Sequence, residues 1–337
     1  MSKLTVLSGE AIEELLTIPM AVEAVKQAYL EKAKGEAALW PMVFHEFVPG
    51  QADLDIKSGN LDGLGFYGLK VVSWFGDNPG KGLPALYGTS LLFDLATGAP
   101  KALLNAGPIT DFRTGAAGAI GAKYLARPDA ETLLMAGTGA LAPYLIAATL
   151  YLLSGIKTVY VANPHHPEQS EAACADIVPV VEKLLRACGG CHAALVPAPS
   201  LETAVKHSHI ILTATPARAP FIRAEWVQPG THISCVGADM SGKQELDGKI
   251  FRQAKVFGDD AGQCLSVGEC EVPYKSGDFS GELCEIGHVM AGTAPRRTES
   301  GDVTVFDSTG IALQDIAAAA ALLRAAEAAG KGQTIEL

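Results

Sequence analysis

Apolar residues near the start of the chain recur at helical spacing. Ile12, Leu15, Leu16, Val22, Val25 and Tyr29 fall on one stripe and predict a helix over residues 8–34. Short strands follow, among them 68–74 and 88–94, separated by the turn-rich Gly76-Asp77-Asn78-Pro79-Gly80-Lys81-Gly82-Leu83-Pro84. An apolar helix is expected over 113–126, ended by Arg127-Pro128-Asp129. From Glu131 short, continuous apolar runs alternate with helical stretches. Segments 131–137, 157–163, 192–198, 209–215 and 231–238 read as buried strands, and 140–155 and 167–190 as helices. Such alternation implies an α/β fold whose parallel sheet is covered on both faces. Segment 285–302 reads as a loop closing over this region, and 311–330 as one long helix that packs back on the first part.

Residues 133–156 carry no charge and are long enough to span a bilayer. Gly137, Gly139, Pro143 and Gly155 break the run, which fits a buried strand, turn and helix better than a membrane span. The 337 residues exceed one typical domain. With 26 Lys and Arg against 37 Asp and Glu, the formal charge of -11 argues against a nucleic acid partner, and no basic cluster offsets it. Seven scattered cysteines fit reduced thiols, and the first residues lack the pattern of a secretory signal. The expectation is a cytoplasmic protein with no membrane partner.

The central chemical signal is Gly137-Thr138-Gly139-Ala140-Leu141-Ala142, which follows a predicted strand and opens a predicted helix. In a G-x-G-x-x-A turn the first glycine makes the bend and the second lets backbone approach a pyrophosphate. The small last residue lets helix and strand pack closely. The next strand ends at Asn163, followed by Pro164, His165 and His166. The acid that reads the ribose of NAD is missing, and no arginine marks the phosphate of NADP. Both NAD(H) and NADP(H) stay open, with the balance toward NADP(H). Cys188-Gly189-Gly190-Cys191-His192 matches a haem-attachment pattern, but it stands where a helix should stop at glycines. His165, His166, Cys264, Cys270 and Cys284 show no tight metal-ligand spacing, so no metal is expected.

Further blocks carry a resemblance. They are Gly68-Leu69-Lys70-Val71-Val72, Asn78, Gly82-Leu83-Pro84, Leu92-Phe93-Asp94 with Thr97-Gly98, and Thr110-Asp111-Phe112-Arg113-Thr114. The glycine turn, Val236-Gly237-Ala238-Asp239 and Asp307-Ser308-Thr309-Gly310-Ile311-Ala312-Leu313-Gln314-Asp315 complete them. In order and spacing these blocks resemble the ornithine cyclodeaminase/mu-crystallin family. The resemblance implies a Rossmann-type parallel sheet domain, residues 116–305, inserted in a discontinuous α+β substrate-binding and dimerisation domain, residues 1–115 plus 306–337. It also implies a homodimer.

Carried over by residue, the resemblance gives Lys70 and Arg113 to the substrate carboxylate, and Arg113 to the cofactor as well. Asp239 becomes the acid beside the substrate nitrogen, so Lys70 and Asp239 are the catalytic pair. Cofactor contacts fall to Thr89, Arg113, Thr114, Gly137, Thr138, Gly139, Ala140, Leu141, Asn163, Thr215, Val236, Gly237 and Ser308. Three positions depart from the family pattern. His45 stands, after Trp40-Pro41, where an arginine is usual; Lys57 is a second lysine able to assist with the carboxylate; Leu141 replaces a frequent glutamine. Cations for a carboxylate and an acid for an imine nitrogen suit imino acid chemistry. The expected activity is an NAD(P)H-dependent imino acid reductase acting reversibly as an amino acid dehydrogenase on a small 2-imino or 2-amino acid. The alternatives are a cyclodeaminase with recycled NAD+ and a non-catalytic small-ligand binder.

Overall fold

The structure, a computed structural model, describes residues 3–189, 193–280 and 282–337. The chain forms two units, Met1–Arg113 with Ile311–Leu337, and Thr114–Gly310.

The first unit begins with β1 (Lys3–Leu7), α1 (Gly9–Leu15) and α2 (Ile18–Lys34). The single helix expected over 8–34 is therefore two. Thr17 is extended and its hydroxyl accepts the Met20 amide, while Pro19 in the first turn of α2 has no N–H to continue α1. β2 (Ala37–Leu39), β3 (Val43–Val48), β4 (Ala52–Leu61), β5 (Phe66–Phe75), β6 (Leu86–Asp94) and β7 (Pro100–Asn105) follow, and then α3 (Ala106–Leu125). α3 starts seven residues before the expected 113, because Pro108 in its first turn is compatible with a helix start.

These strands join one largely antiparallel sheet in the order β16-β1-β7-β6-β5-β4-β2, with β3 paired to β4 and β16 covering Gln333–Glu336. Helix α10 (Ala312–Ala329) lies on this sheet and on α2, as the sequence led us to expect. Gly59 and Gly68, paired across β4 and β5, make room for it. A Cβ on Gly59 would stand 3.1 Å from Leu313, and one on Gly68 3.4 Å from Ile316. That close approach brings the first turn of α10 down onto the sheet.

The second unit holds a wholly parallel sheet in the order β10-β9-β8-β11-β12-β15-β13-β14. Its strands are β8 (Thr132–Ala136), β9 (Thr158–Ala162), β10 (Ala194–Pro197), β11 (Ile210–Thr213), β12 (His232–Cys235), β13 (Lys255–Gly258), β14 (Cys284–Glu285) and β15 (Thr304–Asp307). Its own helices are α4 (Ala142–Leu152), α5 (Ser170–Arg186), α6 (Leu201–His207), α7 (Ala261–Val267), α8 (Glu271–Ser276) and α9 (Ile286–Met290). α9 lies inside the segment expected to be a loop. The core is apolar, with Leu134, Ile211, Ile233 and Val305 fully buried.

The fold is thus α/β, a Rossmann-type sheet within a discontinuous antiparallel-sheet unit. The uncharged run 133–156 resolves into β8, the glycine turn and α4. Among the described residues, no helix is long and apolar enough to cross a membrane. Of the haem-like stretch, Gly190, Cys191 and His192 lie outside the described residues; α5 ends before it, at Arg186.

Candidate active site

In the first unit the cations gather on the sheet face that carries α10. Lys57 on β4 pairs directly across to Lys70 on β5, and Lys70 to Ser90 on β6. Cross-strand partners share a face, so Lys57, Lys70 and Ser90 form a row of buried residues beneath α10. Asp315, in the first turn of α10, meets Lys70 Nζ at 3.1 Å and Arg113 Nε at 3.2 Å. The neighbouring Gln314 accepts from Arg113 Nη1 at 3.0 Å and donates to the Tyr29 hydroxyl at 2.7 Å. Two consecutive residues of α10 therefore hold Lys70 and Arg113, two of the three cations of the first unit's cluster.

The cluster mixes charges. Lys70 feels Arg113 and Lys57 as like charges and Asp315 and Asp55 as opposite ones, and Asp111 lies close enough to Arg113 to interact with it. Burial, then the nearby Arg113, lowers the Lys70 ammonium from its usual value to about 8; Asp315 opposes the shift without cancelling it, and Lys57 adds to it. Burial pushes the Asp315 carboxyl up, but Lys70 and Arg113 outweigh it and hold it below the usual range. The Ser90 hydroxyl is buried and, among the described residues, has no hydrogen-bond partner. Buried cationic donors beside an unsatisfied hydroxyl suit a small anion, most simply a carboxylate.

His45 and Thr89 do not join this cluster. His45 pairs with Leu54, and Thr89 with Val71, which places both on the opposite face of the sheet. Both are exposed. His45 lies edge-on to Phe47 at 5.0 Å, and Phe47 stacks on Phe75 at 5.9 Å. The alternation of a strand sends neighbouring side chains to opposite faces, so β3 carries His45 away from Lys70. Of the two candidates for the missing arginine, Lys57 is the one beside Lys70.

The second unit presents a different set at the carboxyl edge of its sheet. Strand order reverses at β8, and ligands of open α/β sheets bind at such switch points. Gly137 follows β8 with φ +126°, and a Cβ there would lie 2.5 Å from the Ala214 carbonyl oxygen. Gly139 is exposed, and a Cβ on it would meet nothing within 4 Å. α4 begins beside it with Leu141 at its cap, which offers no side-chain acceptor to the first N–H groups. Ala140 is exposed next to Gly139. An open cradle at a helix N-terminus fits a pyrophosphate.

Asn163 braces the turn, donating to Thr138 Oγ1 at 3.1 Å and accepting from the amides of His165 and His166 at 3.1 and 2.9 Å. Its side-chain oxygen is thus engaged locally. Thr215, Val236, Gly237 and Ser308 follow the ends of β11, β12 and β15, and Thr114 is buried within α3. Asp239, half-exposed, meets Lys243 Nζ at 2.5 Å.

Gln314 and Asp315 stand in a family-like block that assigns them no role, and no local sequence signal marks Ser90 or Glu245. Glu245 is fully buried and accepts from both Thr213 and Thr215.

The chain is 35% identical over 317 residues to the alanine dehydrogenase of Archaeoglobus fulgidus, covering 93% of this chain and 92% of that one. An archaeal alanine dehydrogenase dimer with bound NAD superposes with a TM-score of 0.84 at 34% identity, covering 99% of both chains. The iminosuccinate reductase of Paracoccus denitrificans in complex with NAD+ does so with a TM-score of 0.89 at 28% identity, covering 99% of this chain and 100% of that one. The pattern of the ornithine cyclodeaminase/mu-crystallin family matches residues 2–329. The match runs through nearly the whole chain, and this chain belongs to that family.

Proposed function

We propose that this protein is an NAD(P)H-dependent reductase of a small 2-imino acid, working in reverse as an amino acid dehydrogenase. The observation that carries the reading is the buried cluster of Lys57, Lys70 and Arg113 with the unsatisfied Ser90 hydroxyl, in a chain that also bears an open glycine turn at a sheet switch point. A bound nicotinamide supplies or accepts a hydride at the α-carbon. Gly137, Thr138, Gly139 and the first N–H groups of α4 receive the pyrophosphate, and Thr215, Val236, Gly237 and Ser308 line the neighbouring strand ends. Lys70 and Arg113 hold the α-carboxylate as charged donors, with Ser90 as a neutral one. Asp239 carries the proton of the imine nitrogen, and Lys243 keeps that carboxylate oriented until it acts. Lys57, one strand from Lys70, offers a second cation to a substrate with a polar or acidic side chain.

The test is loss of reduced nicotinamide absorbance with NADH and NADPH in separate arms. Pyruvate, glyoxylate and oxaloacetate are each supplied with ammonia or methylamine, alongside pyrroline- and piperideine-2-carboxylate. Net oxidation with one imine is expected and identifies coenzyme and substrate together. No oxidation with any of them, combined with ammonia release from ornithine or lysine, overturns the reductase in favour of a cyclodeaminase.

We also propose a homodimer. The sheet face opposite Lys70 exposes Val43 at 52%, Phe47 at 50%, Tyr87 at 49% and Phe75 at 37%. A contiguous apolar patch of this kind marks an interaction surface, and the alanine dehydrogenase relative is a dimer. His45 and Thr89 belong to the same face. Sedimentation equilibrium should give twice the chain mass, and Phe47→Asp should give a monomer. A wild-type monomer at micromolar concentration would refute the assembly.

A further inference from the structure

Glu245 and Glu269 are two fully buried carboxylates with no paired cation among the described residues. Glu245 nevertheless has every oxygen engaged. Its Oε1 accepts from the Thr215 amide at 2.7 Å and the Thr215 hydroxyl at 2.8 Å. Its Oε2 accepts from the Thr213 hydroxyl at 2.6 Å and the Gly237 amide at 3.2 Å. β11 and β12 are adjacent parallel strands, so one side chain ties the residues just beyond their carboxyl ends to each other. Gly237 has no room for a side chain in this arrangement, since a Cβ would stand 2.6 Å from the Thr215 nitrogen and 2.7 Å from the Glu245 carboxyl carbon.

Glu269 supports the brace from behind. It accepts the backbone N–H of Glu245 at 2.9 and 3.0 Å and that of Leu246 at 2.7 Å. Burying two carboxylates this close is costly, and a purely packing role is met better by apolar residues. What an acid offers here is four acceptor positions aimed at backbone and hydroxyl donors of two strand ends. Those ends carry Thr215 and Gly237, which the proposed function assigns to the coenzyme. Ligands of such sheets sit at the carboxyl ends of their strands.

We infer that Glu245 is a positioning residue, which fixes the coenzyme-binding ends of β11 and β12 in one geometry before the dinucleotide arrives. The inference rests on the dinucleotide reading of the second unit. Substitution Glu245→Gln keeps the shape but turns an amide NH2 toward two donors. It should therefore leave an intact fold with loosened strand ends.

The experiment titrates NADH and NADPH into wild type and Glu245→Gln by nicotinamide fluorescence, with hydrogen exchange of both coenzyme-free proteins in parallel. The expected result is coenzyme Kd raised about tenfold or more, faster exchange confined to 213–217 and 236–239, and imino acid KM at saturating coenzyme within twofold of wild type. Coenzyme Kd within twofold of wild type, in a variant that unfolds normally, overturns the positioning role. A parallel fall in both affinities with exchange raised throughout the unit also overturns it, as it marks a merely structural part.

If Glu245→Gln does not fold, Thr213→Val decides. It removes one donor to Glu245 from a residue with no assigned coenzyme contact. A threefold or greater rise in coenzyme Kd supports the brace, and an unchanged Kd refutes it. Wild type that binds neither dinucleotide would instead refute the coenzyme reading itself, and this inference with it.

Discussion

Replacing Lys70 by methionine is expected to lower kcat/KM for the imino acid by about 10- to 150-fold, the worth of one buried charge-assisted hydrogen bond of about 1.5–3 kcal/mol. Methionine keeps the length and volume of the lysine stem, so the strand stays packed. Asp315 retains Arg113 as its counter-charge, and the repulsion between Lys70 and Arg113 disappears with the ammonium. Loss of stability is thereby limited, while loss of the carboxylate donor is complete. Coenzyme Kd should stay within twofold. A variant that melts earlier but keeps wild-type kcat/KM per folded molecule would return Lys70 to a structural ion pair with Asp315.

The pH profile sharpens the test. The protonated Lys70 is the form that binds a carboxylate, and with a value of about 8 in the free protein, kcat/KM should fall as pH rises through that value. Asp315 is the stronger of the two charges, with Asp55, that raise Lys70. In Asp315→Asn the alkaline limb should therefore move to lower pH, by about 1–3 units for a lost opposite charge at this distance. An alkaline limb left in place would show that some other group governs it.

The parts of this site legible in sequence were those whose chemistry conflicts with their surroundings. A lysine in the apolar strand Gly68-Leu69-Lys70-Val71-Val72 and an arginine entering a small-residue helix both demand a partner, and each signals itself. The partner did not. Asp315 meets Lys70 across 245 positions of chain, and nothing in the local pattern of Ala312-Leu313-Gln314-Asp315 says where it points. Glu245 was hidden for the same reason, since its donors lie up to 32 positions away.

Strand parity was the other limit. Sequence gives alternation but not register, so His45 and Lys57 were equal candidates beside Lys70 until the pairing of β3 with β4 sent them to opposite faces. Five strands of the second unit were readable, although β10, β11 and β12 are only four residues long. β13 and β15, of the same length, were not read. The break between α1 and α2 escaped because the apolar stripe continues across it; the capping hydroxyl of Thr17 with Pro19 was the available signal.

The two glycines of the turn should separate fold from binding. Gly139→Val is expected to leave the melting temperature unchanged and to weaken dinucleotide binding by about 5- to 150-fold, the effect of about 1–3 kcal/mol of steric overpacking. The reason is where the side chain goes. A Cβ at Gly139 meets no protein atom within 4 Å, so the only thing it displaces is whatever the turn was open to receive. Gly137 is the opposite case. It sits at φ +126° with its Cβ direction closed 2.5 Å away by the Ala214 carbonyl oxygen, so Gly137→Ala strains the backbone and collides with the neighbouring strand end. Strain of about 1–3 kcal/mol should lower the melting temperature by about 2–4 °C per kcal/mol in a unit of this size, whether or not coenzyme is present. Calorimetry with and without NADH or NADPH reads both variants. If Gly139→Val binds dinucleotide as tightly as wild type, the open space above the turn is not where the pyrophosphate lies, and the turn is only a strand-to-helix connection.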